Sequence, residues 1–255
     1  MQLFNPPADY AEEPTPVMPR KPIPSPWRMY AVLVLLAMGG WALVIDIPVA
    51  RWAREMDHPR LVRDLFDKAE PFGHGLGVVL ILAGIWILDA PRRWVVPRVA
   101  LCAAISGLLA DIVKLLVGRQ RPYEFDLTQS PLASFVDWAP LWNSTSGIQS
   151  FPSGHAATAA GFAVGLAWAY PRGRWYFYTL AVLVACHRVE AGVHYVSDVC
   201  CGASLALLST GLIFDWGLLP GWLDRLEARI RSRLAGSSAQ ACVDDDQFAT
   251  EREAA

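Results

Sequence analysis

The chain has 255 residues, of which 54% are hydrophobic and only 18% charged, against roughly 25% charged in an ordinary soluble domain. Its 22 Lys and Arg and 24 Asp and Glu leave a net charge of −2, which excludes the strong basic field that nucleic-acid binding requires. The apolar excess excludes a disordered chain, and eleven Trp, a residue that gathers at lipid–water boundaries, point with it to an integral membrane protein.

Residues 1–26 carry eight of the nineteen Pro and almost no apolar run, so they predict an extended, disordered tail. The first apolar segment begins too far into the chain, and lacks the small-residue site, for a simple cleaved signal peptide; it predicts a retained span. Spans need about 20 mostly apolar residues. Six segments approach this: 29–50, 73–88, 94–117, 154–170, 175–188 and 197–219. They predict an all-α bundle of six transmembrane helices forming one domain over 27–220. Asp46, Asp111, Lys114, Arg188 and Asp198 intrude into these apolar stretches, and an ionisable residue in a span marks function by default.

Orientation follows from the basic residues, since positively charged loops stay in the cytoplasm. With six spans, both tails and the loops around Arg92–Arg98 and Arg172–Arg174 share one side and hold 13 of the 22 Lys and Arg. That side is expected to be cytoplasmic, leaving 51–72, 118–153 and 189–196 outside the inner membrane. Four of the five Cys lie in apolar stretches and Cys242 in a polar tail, with no metal-type spacing, so they predict small core residues rather than a disulfide framework or zinc site. Residues 221–255 begin with Leu223, Leu226, Ile230 and Leu234 interleaved with Arg225, Arg229, Arg231 and Arg233. This predicts a basic amphipathic helix, lying on the inner leaflet or solvated beyond the last span, followed by a disordered acidic tail.

Three blocks fall on the side expected to be external: Lys114-x6-Arg121-Pro122, then Pro152-Ser153-Gly154-His155, then Arg188-x5-His194-x3-Asp198. On a continuing helix, Lys114 and Arg121 would share one face two turns apart. With Arg188 they make three cations at a membrane surface, which call for an anion, and phosphate matches their charge and donor geometry. Ser153-Gly154 begins a helix, where unpaired backbone N–H groups receive an oxyanion. His194 and Asp198 are spaced i, i+4; a carboxylate on one ring nitrogen leaves the other as a nucleophile towards phosphorus, giving a phosphohistidine. His155 is placed to protonate the leaving oxygen and then activate water. Taken singly, a snorkelling Lys, a capping Ser and a structural His explain each block equally well. Ten specified positions on one face favour the joint reading. Asp111 predicts a pairing with Lys114, and His74 and His187 stay outside the core set.

The pattern resembles the signature of the type 2 phosphatidic acid phosphatase family, shared with acid phosphatases and vanadium haloperoxidases, over residues 29–219. The resemblance implies a six-helix membrane core and metal-independent dephosphorylation of a lipid phosphate at an extracytoplasmic site, with no cofactor. It places phosphate on Lys114, Arg121, Ser153, Gly154 and Arg188, the acid on His155, the nucleophile on His194 and its partner on Asp198. The sequence departs from the family at His187, where Ser is usual. Phosphatidic acid, phosphatidylglycerol phosphate and undecaprenyl diphosphate are the substrates it brings into view, in a lipid bilayer, as monomer or homo-oligomer. Two alternatives stay open: a lipid phosphotransferase using the same site, and a non-catalytic protein that binds or transports a lipid phosphate.

Overall fold

The computed structural model describes residues 25–56, 59–141, 146–215, 219 and 221–234. The Pro-rich segment before residue 25 and the acidic tail after 234 lie outside them. Eight helices account for most of the described chain: α1 (Ser25–Glu55), α2 (Arg60–Ala69), α3 (Gly75–Leu88), α4 (Val96–Lys114), α5 (Gly154–Ala169), α6 (Arg174–Glu190), α7 (Val196–Phe214) and α8 (221–234). Each of the six expected apolar segments contains a helix among its described residues, although the one within 94–117 ends at Lys114. Three stretches, Pro26–Glu55, Ala90–Lys114 and Val196–Phe214, are long and apolar enough to cross a membrane. A fourth qualifies if Arg60–Gly73 and Gly75–Leu88, bent by 74°, count as one broken span. α5 and α6, with 16 and 17 residues, fall short of the usual length.

α5 lies at the centre and packs on α4, α6 and α7, while α1 packs along α7. Its sequence is dominated by Gly and Ala, and nearly every residue from Ala156 to Ala169 is buried. Small residues let helix backbones approach where lipid supplies no hydrophobic drive between them. Gly161 is the tightest case, because a Cβ there would stand 2.3 Å from the Cys102 carbonyl oxygen and 2.2 Å from Ser106 Oγ. α1 and α3, by contrast, turn Leu33, Val34, Trp41, Val44, Leu80 and Leu88 outward, as lipid-facing helices do.

The C-terminal helix does not rest on lipid through its apolar stripe. Leu223 is fully buried, and Leu223 and Ile230 belong to the main core with Trp94, Val95, Trp168 and Phe214. The reason is a polar clamp beneath that stripe. Arg98, near the start of α4, donates to Glu227 at 2.7 Å and to Asp224 at 2.5 Å, and lies 5.0 Å over the Trp168 ring. Trp222, Arg225, Arg229 and Arg233 face outward. Arg28 of α1 pairs with Asp215 at the same end.

α4 stops at Lys114 instead of continuing to Arg121. The chain there turns into β1 (Val117–Arg119), which pairs antiparallel with β2 (Phe135–Trp138), Gly118 opposite Asp137. A Cβ on Gly118 would come within 2.9 Å of the Asp137 Cβ, so the close strand approach accepts Gly. Lys114 and Arg121 therefore reach the same region from a helix end and a loop, not from one helical face. Arg51 and Arg54, on the last turns of α1, hold this loop by donating to the carbonyls of Leu127 (3.1 Å from Nε) and Phe125 (3.3 Å).

Candidate active site

The C-terminal ends of α1, α4 and α6 and the N-terminal ends of α5 and α7 meet at the end of the bundle opposite α8. Ser153 caps α5, its hydroxyl accepting from Ala156 N–H at 3.4 Å, and its own N–H donates to the Asp198 carbonyl at 3.1 Å. A Cβ on Gly154 would stand 3.0 Å from Lys114 Nζ, which places the amine against the first turn of α5. Asp111 pairs with that amine at 2.9 Å, as the spacing predicts.

His194 lies in the turn before α7 and is buried. Its Nδ1 is 2.6 Å from the Ser150 carbonyl oxygen, which is an acceptor alone, so Nδ1 carries the proton and Nε2 keeps the lone pair. The sequence spacing assigns this task to Asp198, but its Oδ2 is 3.7 Å from Nδ1. The physical reason is local: Asp198 sits in the first turn of α7 and accepts from Tyr195 N–H (2.9 Å) and Ser150 Oγ (2.6 Å). It thus positions the residue whose carbonyl orients His194. Burial pushes the His194 imidazole below its ordinary value, against the pull of the Asp198 carboxylate, so the ring is neutral at pH 7.

Sequence reasoning missed the group that anchors Asp198. Arg119 is fully buried and donates to Asp198 (2.5 Å), Ser197 Oγ (2.7 Å), Ser134 Oγ (2.9 Å) and Asp46 of α1 (2.8 Å). Its guanidinium is sandwiched 4.0 Å from the Tyr195 ring centre and 4.5 Å from that of Phe135. Burial opposes its charge, but Asp198 and Asp46 outweigh that and raise its pKa. Asp46 also accepts from Ser197 N–H and Oγ at 3.0 and 2.5 Å. The available signal was on the partners, since Asp46 and Asp198 each intrude into an apolar stretch; at 73 and 79 positions from Arg119 they leave no local trace of the pairing.

Arg188, on the last turn of α6, and Arg121 are close enough for their charges to act on each other and on His194. Among the described residues, neither buried Nε has a protein hydrogen-bond partner. Arg188 donates to Glu70 at 2.8 Å. His155, in the first turn of α5, is within the electrostatic reach of Arg188, His194 and Lys114. Its Nε2 is 3.8 Å from Glu70, and its ring centre is 5.8 Å from that of His74, which caps α3 through Nδ1. His187 turns to Asp67 of α2, 3.3 Å from Nε2. The structure thus gathers Lys114, Arg121, Ser153, Gly154, His155, Arg188, His194 and Asp198 in one region and adds Glu70, His74, Ser150 and Arg119. Among the described residues no group of three or more His, Cys, Asp or Glu is arranged to hold a metal ion.

Below His155, a cleft of about 610 Å³ runs between α3 and α4. Lys114, Gly154, His155 and His74 line its polar part, and Val79, Leu82, Ala104 and Leu108 its apolar part.

Apolar helices with charged and histidine side chains collected at one end define an integral membrane protein with a polar centre at the bundle's edge. Residues 96–220 match the PAP2 superfamily model, and the chain belongs to that family. It is 26% identical over 226 residues to lipid A 1-phosphatase of Rhizobium etli, covering 82% of this chain and 87% of that protein. It is 35% identical over 141 residues to decaprenylphosphoryl-5-phosphoribose phosphatase of Mycobacterium tuberculosis, covering 53% and 69% respectively. The crystal structure of Aquifex aeolicus LpxE shares the fold, with a TM-score of 0.52 over 68% of this chain and 96% of that one, at 22% identity.

Proposed function

We propose that this protein is a lipid phosphate phosphatase that works without a metal and through a phosphohistidine on His194. The observation that carries this reading is the position of His194: Nδ1 is committed to the Ser150 carbonyl, Nε2 is left basic, and the charges of Arg121 and Arg188 act on the ring. In the first step Nε2 attacks phosphorus as the ester P–O bond breaks, and the leaving oxygen takes a proton from His155. In the second, His155 accepts a proton from water, whose oxygen displaces His194 and releases inorganic phosphate. Lys114, Arg121, Arg188 and the Gly154 amide, at the start of the helix that Ser153 caps, hold the equatorial oxygens, where charge is greatest in the transition state; the N–H of Ser153 itself is engaged by the Asp198 carbonyl.

The apolar cleft supports a lipid as the substrate, because it descends from His155 between two helices with outward apolar faces and suits an acyl or prenyl chain. The names of the relatives point the same way, towards lipid A and a decaprenyl phosphosugar. The expected setting is the inner membrane, with six crossings, both tails cytoplasmic and the site outside. α5 and α6 would complete the six as short spans packed inside the bundle. The core phosphatase domain would occupy 27–220, between tails at 1–26 and 221–255.

Purified protein in detergent, offered phosphatidic acid, phosphatidylglycerol phosphate, lipid A and undecaprenyl diphosphate with and without EDTA, tests the proposal. Release of inorganic phosphate that resists EDTA is the expected result. No release from any of them refutes the phosphatase; loss with EDTA refutes the metal-free step. Transfer of the phosphoryl group to an added lipid or sugar acceptor, in place of release, identifies a phosphotransferase.

A further inference from the structure

Two acidic residues one turn apart, Asp67 and Glu70, face two consecutive residues of α6, His187 and Arg188. The Glu70 contact is the informative one. Its Oε1 is 2.8 Å from Arg188 and 3.8 Å from His155, so one carboxylate oxygen lies between a proposed phosphate ligand and the proposed acid. An oxyanion beside that guanidinium is what a phosphoryl group would supply. The backbone under Glu70 is fixed: a Cβ on Gly73 would lie 2.8 Å from the His155 carbonyl oxygen and 2.7 Å from Val184 Cγ1, so this turn is pressed against α5 and α6. The Glu70 side chain is 37% exposed, against 12% for Arg188. Rotation of the carboxylate into solvent is therefore open, while the guanidinium stays in place.

We propose that Glu70 is the built-in counter-anion of the phosphate site, holding Arg188 until the phosphoryl group displaces it and so setting how tightly phosphate binds. The proposal rests on Arg188 being a phosphate ligand. A competing carboxylate weakens the binding of substrate and of product phosphate alike, and so assists product release. Because the competition acts on bound substrate and transition state together, it enters KM more than kcat. Glu70 is thus a positioning residue, acting through Arg188.

The test compares the full-length wild type with Glu70→Gln, which keeps shape and removes charge. Binding of inorganic phosphate is read by calorimetry in detergent, without turnover, and KM and kcat are measured on a lipid phosphate. The expected result is phosphate binding tighter by about threefold to tenfold, the range for a partly exposed ion pair, with KM falling by a similar factor and kcat changing less. Glu70→Asp, which withdraws the carboxylate by one methylene, is expected to bind phosphate with intermediate affinity and serves if the Gln variant does not fold. Phosphate affinity unchanged or weaker in either variant overturns the proposal. Tighter phosphate binding in a protein that hydrolyses no lipid phosphate upholds Glu70's role and refutes the phosphatase reading instead.

Discussion

Arg119→Met provides a severe test of how the site is held. Arg119, Asp46 and Asp198 all have side chains with 0% exposure, and one guanidinium serves two carboxylates. Met keeps much of the length and apolar volume but removes the charge and its hydrogen bonds. Two buried carboxylates are then left without the cation that served both. Breaking a buried pair in this way costs about 3–5 kcal/mol, because the remaining charge is uncompensated. At roughly 2–4 °C per kcal/mol for a chain of this size, the melting temperature should fall by about 6–20 °C. Asp46→Asn is the matched contrast: it leaves the Arg119–Asp198 pair neutral and still offers Ser197 an acceptor, so it should cost about 1 kcal/mol. Thermal unfolding of the three proteins in one detergent, followed by tryptophan fluorescence, reads both. An Arg119→Met protein melting within about 2 °C of wild type, on the same scale, would refute the argument.

Further expectations concern the ring, the helix start and the far end. With Nδ1 bonded to Ser150 and burial disfavouring the cation, His194 should titrate below the ordinary value of about 6.5 and stay neutral as pH falls through that value. Nitrogen-15 NMR of the imidazoles, assigned with His194→Gln, should find the proton on Nδ1; a ring charged at pH 7 contradicts this. Because the folded pKa is depressed, the contribution of His194 to stability is present above about pH 6.5 and is lost as the solution is acidified. Gly154→Ala pushes a methyl against Lys114 Nζ, a flexible group, so the melting temperature should hold while kcat/KM falls by about tenfold; equal kcat/KM would remove Lys114 and the α5 N-terminus from the site. Leu223→Ala empties a fully buried position under α8 and should cost about 2–4 kcal/mol in the same unfolding assay. No loss would mean that α8 is not docked on the bundle.

Much of this architecture was legible because membranes impose long apolar segments, and because phosphate chemistry uses few residue types at fixed spacings. The helices carrying Lys114, His155 and Arg188, and the turn bearing His194, lie where those patterns place them. What stayed hidden depends on partners far apart in the chain. Arg119 looks like one more loop cation until Asp46 arrives on α1 and Asp198 on α7. Glu70 carries no local signal, although the apolar positions of α2 at 61, 62, 65, 66 and 69 mark an amphipathic helix in what otherwise reads as a loop. Spacing also misleads where geometry changes. The seven residues from Lys114 to Arg121 suggest two helical turns, but α4 ends at Lys114 and a strand follows. The i, i+4 spacing of His194 and Asp198 suggests a direct hydrogen bond, yet His194 precedes the helix, its Nδ1 bonds the Ser150 carbonyl, and the Asp198 carboxylate stands 3.7 Å away. α8 reads as a lipid-facing stripe because the buried partners that claim it, Arg98 and Trp94, lie more than a hundred residues earlier.

The most direct test of the account is to trap the covalent intermediate. Wild-type protein is mixed with a lipid phosphate, quenched under alkaline conditions during turnover, digested and sequenced by mass spectrometry. One phosphoryl group is expected on His194 and on no other residue, with none in His194→Ala. A phosphoryl group on a different side chain, or full hydrolysis by the His194→Ala protein, would contradict it.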